Sequence, residues 1–286
     1  MIRRLVLMAC AALMAQAQID PKMFSLWQWR NIGPIRGGRA ITAAGSSARP
    51  LEYFMGTVGG GVWKTSDAGA NWSPVSDGFF HSASVGSIDV CPANPDVVYA
   101  GMGEGDWRAQ MGTGDGVYVT RDAGKTWTHA GLASTSRQQT VPRLIVDPSN
   151  CDNVLAAVMG DPHGPNPERG IFRTTDSGKT WTKILYRGED MGAIDLAVDP
   201  RNRNILYAAL WNAVRKPWGG QVGMKSGIFK STDGGVTWTE LTHNKGIPEG
   251  RIGKIGLAIG ANSSRIYALL EMDPDLGGVF RSDDGG

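Results

Sequence analysis

Eight residues recur along this chain and leave little freedom in what it can fold into. Ser231-Thr232-Asp233-Gly234-Gly235-Val236-Thr237-Trp238 reads Ser/Thr-x-Asp-x-Gly-x-Thr-Trp. Thr120–Trp127 and Thr174–Trp181 repeat it, Thr65–Trp72 repeats it with Asn71 in the Thr place, and Ser282–Gly286 opens a fifth copy. The aspartates Asp67, Asp122, Asp176, Asp233 and Asp284 are separated by 55, 54, 57 and 51 residues. A fixed period of this size signals a repeat architecture, in which each unit buries its apolar face only against its neighbours.

The chemistry of the unit is local. An Asp followed two residues later by Gly suits a tight turn, because the carboxylate accepts backbone N–H groups and Gly takes positive φ without steric cost. The Ser/Thr hydroxyl can cap the same turn, and the Trp is large enough to anchor one hairpin to its neighbour. Before each turn stands a short alternating segment, such as Gly170-Ile171-Phe172-Arg173 or Gly227-Ile228-Phe229-Lys230, which reads as a half-buried strand. A second recurring element is a strand, a Pro/Asn turn and another strand, at Ile88–Ala100, Leu144–Ala156, Leu196–Ala208 and Leu257–Ala268. Together they predict four short antiparallel strands per repeat, which is a propeller blade. The fold class is therefore an all-β propeller with about four and a half blades over residues 39–286. The fifth repeat stops before a Trp-bearing strand, so a fragment of a larger ring of roughly seven to ten blades is expected. Leu26–Ile32, within the segment 18–38, is expected to supply a ring-closing outer strand.

These residues carry a resemblance. The repeat resembles the Asp-box (BNR) repeat of β-propellers. With Trp29–Pro34 and Gly59–Thr65 it is similar to the sortilin N-terminal propeller and to the propellers of family-74 xyloglucan hydrolases. The resemblance covers residues 27–286 and implies either a binding propeller or a glycoside hydrolase. In the hydrolases a general-base Asp follows Thr in a Thr-Asp-x-Gly-Gly-x-Tyr/Trp stretch. The matching stretch here is Thr57–Trp63, with Val58 in the Asp place, and Val58 cannot accept a proton.

The net charge of +2 gives no basis for a nucleic-acid partner, and no mature segment is apolar for long enough to span a bilayer. The first residues are basic (Arg3, Arg4), then apolar (Leu5–Met14), then Ala15-Gln16-Ala17. That order predicts a secretory signal peptide over 1–17 and a secreted or periplasmic protein. Cys91 and Cys151 fall in or beside the same kind of turn in neighbouring repeats. A bridge between them and two separate buried thiols are both open from sequence. No paired His or Cys spacing suggests a metal, and no phosphate loop follows Gly59-Gly60-Gly61, so neither metal nor cofactor is expected.

Strand order puts the Asp turns and Pro/Asn turns on one face and all three insertions, 103–113, 161–169 and 211–225, on the other. The insertions carry Trp107, Arg108, His163, Arg169, Trp211, Arg215 and Trp218, a mixture suited to stacking on sugars or anchoring a peptide. They also carry Glu104, Asp106, Asp161 and Glu168, the available carboxylates if the protein hydrolyses glycosides, which needs two such groups roughly 6.5–9.5 Å apart for inversion. The five repeat aspartates, one per blade, read as structural. A polysaccharide, peptide or protein ligand on the insertion face is the expected partner.

Overall fold

The computed structural model describes residues 38–106, 108, 111–133, 139–273 and 275–286. The signal-peptide and ring-closing readings, over 1–17 and 18–38, lie outside all of these except residue 38, as does Trp107. The described chain is β-structure throughout and forms five antiparallel sheets in sequence order. Sheet one is β1 (Arg39–Gly45), β2 (Tyr53–Val58), β3 (Val62–Thr65) and β4 (Ser73–Pro74). Sheet two is β5 (Val85–Val90), β6 (Val98–Met102), β7 (Val117–Thr120) and β8 (Thr128–His129). Sheet three is β9 (Arg143–Asp147), β10 (Asn150–Val158), β11 (Gly170–Thr174) and β12 (Thr182–Leu185). Sheet four is β13 (Met191–Val198), β14 (Leu206–Lys216), β16 (Gly227–Ser231) and β17 (Thr239–Glu240), with β15 (Gly219–Val222) folded back on β14. Sheet five is β18 (Ile255–Ile259), β19 (Ile266–Leu270) and β20 (Gly278–Ser282).

Each sheet is a meander whose strands pair in chain order, so each is a propeller blade. Neighbouring sheets are tied inner strand to inner strand by polar side chains. Thr42 Oγ1 accepts the Ile88 N–H at 3.1 Å, Asp89 Oδ2 the Val146 N–H at 2.8 Å, and Asp195 Oδ2 the Leu257 N–H at 2.7 Å. The core lies between the blades. Phe54, Val85, Met102 and Tyr118 fill the space between sheets one and two, and Leu155, Ile171, Leu196 and Phe229 that between sheets three and four. The tyrosines of one repeated second-strand position follow this logic. Tyr99 and Tyr207 are buried, and their hydroxyls donate to carbonyls of the next repeat, Cys151 at 2.8 Å and Gly285 at 2.7 Å.

The repeated turn forms as a closed hydrogen-bonded unit. In the second copy Thr120 Oγ1 donates to Asp122 Oδ1 and accepts the Gly124 N–H at 2.9 Å, while Asp122 accepts the N–H and hydroxyl of Thr126 at 2.9 and 2.6 Å. The same pattern recurs at Asp67, Asp176 and Asp233. Positive φ extends to the residue before the Gly, at Ala68, Ala123 and Ser177, each near 60°. That residue's N–H explains why: it donates to the first hairpin turn of the same blade, Ala68 to Leu51 O, Ala123 to Asp96 O and Ser177 to Asp152 O, at 2.9, 2.9 and 3.1 Å. The two turn types thus stand on one face.

Three indoles then cross to the preceding blade. Trp127, Trp181 and Trp238 donate through Nε1 to the carbonyls of Val75, Ala130 and Ile184, at 2.9, 2.8 and 2.9 Å. Each acceptor stands three residues after the preceding repeat's own Trp. A cation just before the repeat reaches the other way: Lys64, Arg173 and Lys230 donate to the carbonyls of Ala123, Gly234 and Gly285 in the following turn. A disulfide joins Cys91 to Cys151, so sheets two and three are also covalently linked; the bridge is the one of the two sequence alternatives that forms.

Candidate functional site

The opposite face carries the insertions. Inner strands start there and second strands end there, so residues from all five sheets converge around the axis. Asp106, Arg143, Asp195, Lys254 and Glu271 supply the charge, and Ile41, Ile194, Ile255 and Leu269 the apolar surface, of a cavity of about 630 Å³. Its polar groups are held in place. Lys254 Nζ pairs with Asp106, joining the insertion of sheet two to the start of sheet five. Arg143 Nε stands 3.6 Å from Asp195, and Glu271 Oε2 accepts the Lys254 N–H at 2.8 Å.

The side chains expected to bind or react separate into distinct environments. Glu104 is fully buried. One of its oxygens pairs with Arg39, the other accepts the Gly112 N–H at 3.2 Å, and Arg108 Nε stands 3.9 Å away. Its carboxylate secures the base of the insertion. Asp161 turns back on its own loop, accepting the His163 N–H at 2.8 Å with His163 Nδ1 at 3.1 Å. Glu168, later in the same insertion, is half-buried. Arg169 is fully buried and donates to the carbonyls of Ala213, Asp161 and Gly164, at 3.1, 2.8 and 3.0 Å. Burial pulls its guanidinium down to about 10. It stands behind the loop as a clamp and offers a ligand no free face.

The segment 211–225, read from sequence as a loop, is a hairpin: β14 runs on past the sheet and β15 pairs with it from Lys216↔Gly219 to Ala213↔Val222. Trp211 at its root is buried in the core between sheets four and five. Arg215 is held by the chain, its N–H on Pro162 O at 2.7 Å and its Nε on Arg108 O at 2.9 Å, so the three insertions lean on one another. Trp218 stands at the tip and is 79% exposed. Of the residues singled out from sequence, Asp106 lines the axial cavity, while Arg108, His163 and Trp218 are exposed on the insertions. Asp195, Lys254 and Glu271 were not anticipated. Their one sequence signal was charge in or next to otherwise apolar strands: Asp195 inside β13, Lys254 just before β18 and Glu271 just after β19. Val58 ends β2 opposite Arg39, against the same rim.

Fold and turn geometry together define a β-propeller built from Ser/Thr-x-Asp repeats. The chain belongs to the Sortilin-Vps10 family, whose model, described as sortilin, neurotensin receptor 3, matches residues 60–210. It is similar to a xyloglucanase of Acetivibrio thermocellus, 26% identical over 269 residues that cover 84% of this chain and 30% of that protein. It is also similar to a sialidase of Bacteroides fragilis, 27% identical over 202 residues that cover 66% of this chain and 34% of the sialidase. The chain thus spans about a third of the length of these relatives. Among solved structures, an ancestral GH74 enzyme superposes with a TM-score of 0.66 at 16% identity, over 90% of this chain and 31% of that one, which is a likeness of fold. Among the described residues no helix is long and apolar enough to cross a membrane, and no cluster of metal-ligating side chains occurs.

Proposed function

We propose that this is a secreted, sortilin-like Asp-box propeller that binds a peptide, protein or glycan ligand on its insertion face, at the axial cavity and the rim around it. The convergence of five sheets on one charged and apolar hollow carries the reading: Asp106 and Lys254, 148 residues apart in sequence, pair at it, and Trp218 stands exposed at the tip of an insertion hairpin. Rigid blades place these groups without cost to a ligand, the circumstance in which buried rims and exposed aromatics bind well. Secretion is supported by the basic-apolar-small order of residues 1–17 and by the Cys91–Cys151 bridge, which persists in an oxidising compartment.

Glycoside hydrolysis is the second reading, favoured by the similarity to xyloglucanases. Against it stand Val58 at the general-base place and the engagement of Glu104 with Arg39 and Gly112. Titration calorimetry with xyloglucan oligosaccharides and a peptide panel separates the two. Binding without turnover, weakened about tenfold or more by Trp218→Ala or Lys254→Ala, is the expected result. Release of reducing sugar that disappears in Asp106→Asn would replace binding with catalysis as the function.

A further inference from the structure

The Asp-turn face, opposite the insertions, carries a second hollow. It lies between sheets three and four, both complete blades, and has a volume of about 320 Å³. Ile145, Leu155 and Val198 form its apolar side, and Arg173 and Arg203 bring charge to it. The acceptors there are already engaged. Asp233 takes the Ser231 and Thr237 hydroxyls and the N–H groups of Val236 and Thr237. Asp147 takes the N–H and hydroxyl of Ser149 at 2.9 and 2.7 Å and has Arg203 Nε at 3.3 Å. The donors are not engaged. Thr175 and Asn204 are exposed, Asn153 is half-buried, and all three line the cleft. Among the described residues their side chains make no hydrogen bond. Arg173 differs from its counterparts in the other repeats. Each cation reaches a carbonyl of the next turn, but Lys64 also pairs with Glu52 at 2.9 Å, and Lys230 also lies 5.5 Å from the centre of the Tyr207 ring. Among the described residues Arg173 has the Gly234 carbonyl and neither a carboxylate nor a ring. Its charge is half-buried, and burial draws its guanidinium below the ordinary value.

We propose that this cleft binds an acidic sugar residue, a pyranose that carries a carboxylate. Arg173 keeps most of its guanidinium fork after donating to Gly234, and takes the carboxylate through two parallel N–H groups. The C–H face of the ring lies on Ile145, Leu155 and Val198. The amides of Asn153 and Asn204 and the Thr175 hydroxyl take its hydroxyl groups. A bare anion would leave the apolar side and the three neutral groups without partners. A neutral sugar would leave the half-buried charge uncompensated. The volume stands at the small end of ligand clefts, which suits one ring. The site is on the face away from the axial cavity and uses none of the residues that line it.

The test is a saturation-transfer NMR titration of the full chain with glucuronate, alongside glucose, acetate and inorganic phosphate. Glucuronate should bind saturably. Glucose, acetate and phosphate should each bind at least about tenfold more weakly, since each lacks one half of the ligand. Arg173→Lys keeps the charge, and Lys64 and Lys230 show that a lysine at this place still reaches the next turn. Its melting temperature should therefore stay near that of the wild type, while its affinity for glucuronate falls about tenfold, because an ammonium lacks the two-pronged contact. Thr175→Val, at an exposed position outside the relay between blades, should weaken glucuronate about fivefold, as for one neutral hydrogen bond. No binding of glucuronate, equal binding of any of the three controls, or wild-type affinity in both variants overturns the proposal.

Discussion

A carboxylate at the surface usually does little for stability, yet those of the repeated turn are tuned strongly. Asp67 is held down to about 2, chiefly by the backbone N–H and then the side-chain amide of Asn71. Asp122 and Asp176 are held at about 2 by the hydroxyl and N–H of Thr126 and Thr180. Their folded values lie below the unfolded one, so their contribution is present above about pH 4 and is lost as pH falls through 2. Asp89 runs the other way. Burial pushes it up to about 6, against the pull of the Val146 N–H. Its contribution is present below about pH 4 and is lost as pH rises through 6. Melting temperatures from pH 2 to 7 should therefore show an acid limb that Asp122→Asn flattens. Asp89→Asn should raise stability above pH 6, by at most about 3 kcal/mol, and leave it unchanged near pH 4. Glycines of the turn offer a second contrast. Gly69 and Gly178 share positive φ, but a Cβ at Gly69 meets nothing closer than Trp72 at 3.7 Å, whereas at Gly178 it lies 2.3 Å from the Ala130 carbonyl oxygen. Gly69→Ala should cost about 1–2 kcal/mol from backbone conformation alone. Gly178→Ala should cost about 1–3 kcal/mol more, because the obstacle is backbone of the preceding blade. Urea unfolding of the two variants measures the difference.

At the scale of elements, blades are joined by a relay that runs in both directions. Indoles reach back to the preceding outer strand, while Lys64, Arg173 and Lys230 reach forward to the following turn. The indole half was readable from Trp at a fixed place in each repeat. The cation half was also in the sequence, as Lys or Arg just before the Ser or Thr, but its partner is a main-chain carbonyl, and a carbonyl has no residue type to recognise. Between sheets two and three the disulfide is added to this relay. It closes a loop of 60 residues, so Cys151→Ser should lower stability by about 2–4 kcal/mol. A matched loss in the wild-type chain on reduction, and none in the variant, checks that the bridge is the cause. The hairpin of β14 and β15 was misread as a loop because Trp211–Lys216 mixes polar and apolar residues without strict alternation, and Trp211 turns inward to the core.

Taken as a whole, the molecule draws its candidate site from residues almost 150 positions apart. Asp106 and Lys254 meet only because five repeats fan about an axis and bring the first strands together. The insertions fall between second and third strands, so alternating chain direction places them together on the face opposite the Asp turns, as the sequence implied. Of the residues singled out from sequence, Asp106 lines the axial cavity and Trp218 is exposed at the tip of its hairpin. The sequence assigned Glu104 and Arg169 to that face as reactive or binding groups, whereas both are buried supports, held by Arg39 and Gly112 in one case and by three carbonyls in the other.

What the amino-acid order settled by itself was periodic and local: the four-stranded unit, the turn with its Ser/Thr, Asp and Gly, and the placing of one Trp per blade. These depend on contacts within a few residues, so composition at fixed spacing is enough to reveal them. Only the tertiary structure decided whether Cys91 meets Cys151, which carboxylates are enclosed and which face solvent, and which charges share the axis. Those outcomes depend on how far each blade is rotated from the last, and that angle is set by side-chain packing summed over the whole interface between blades.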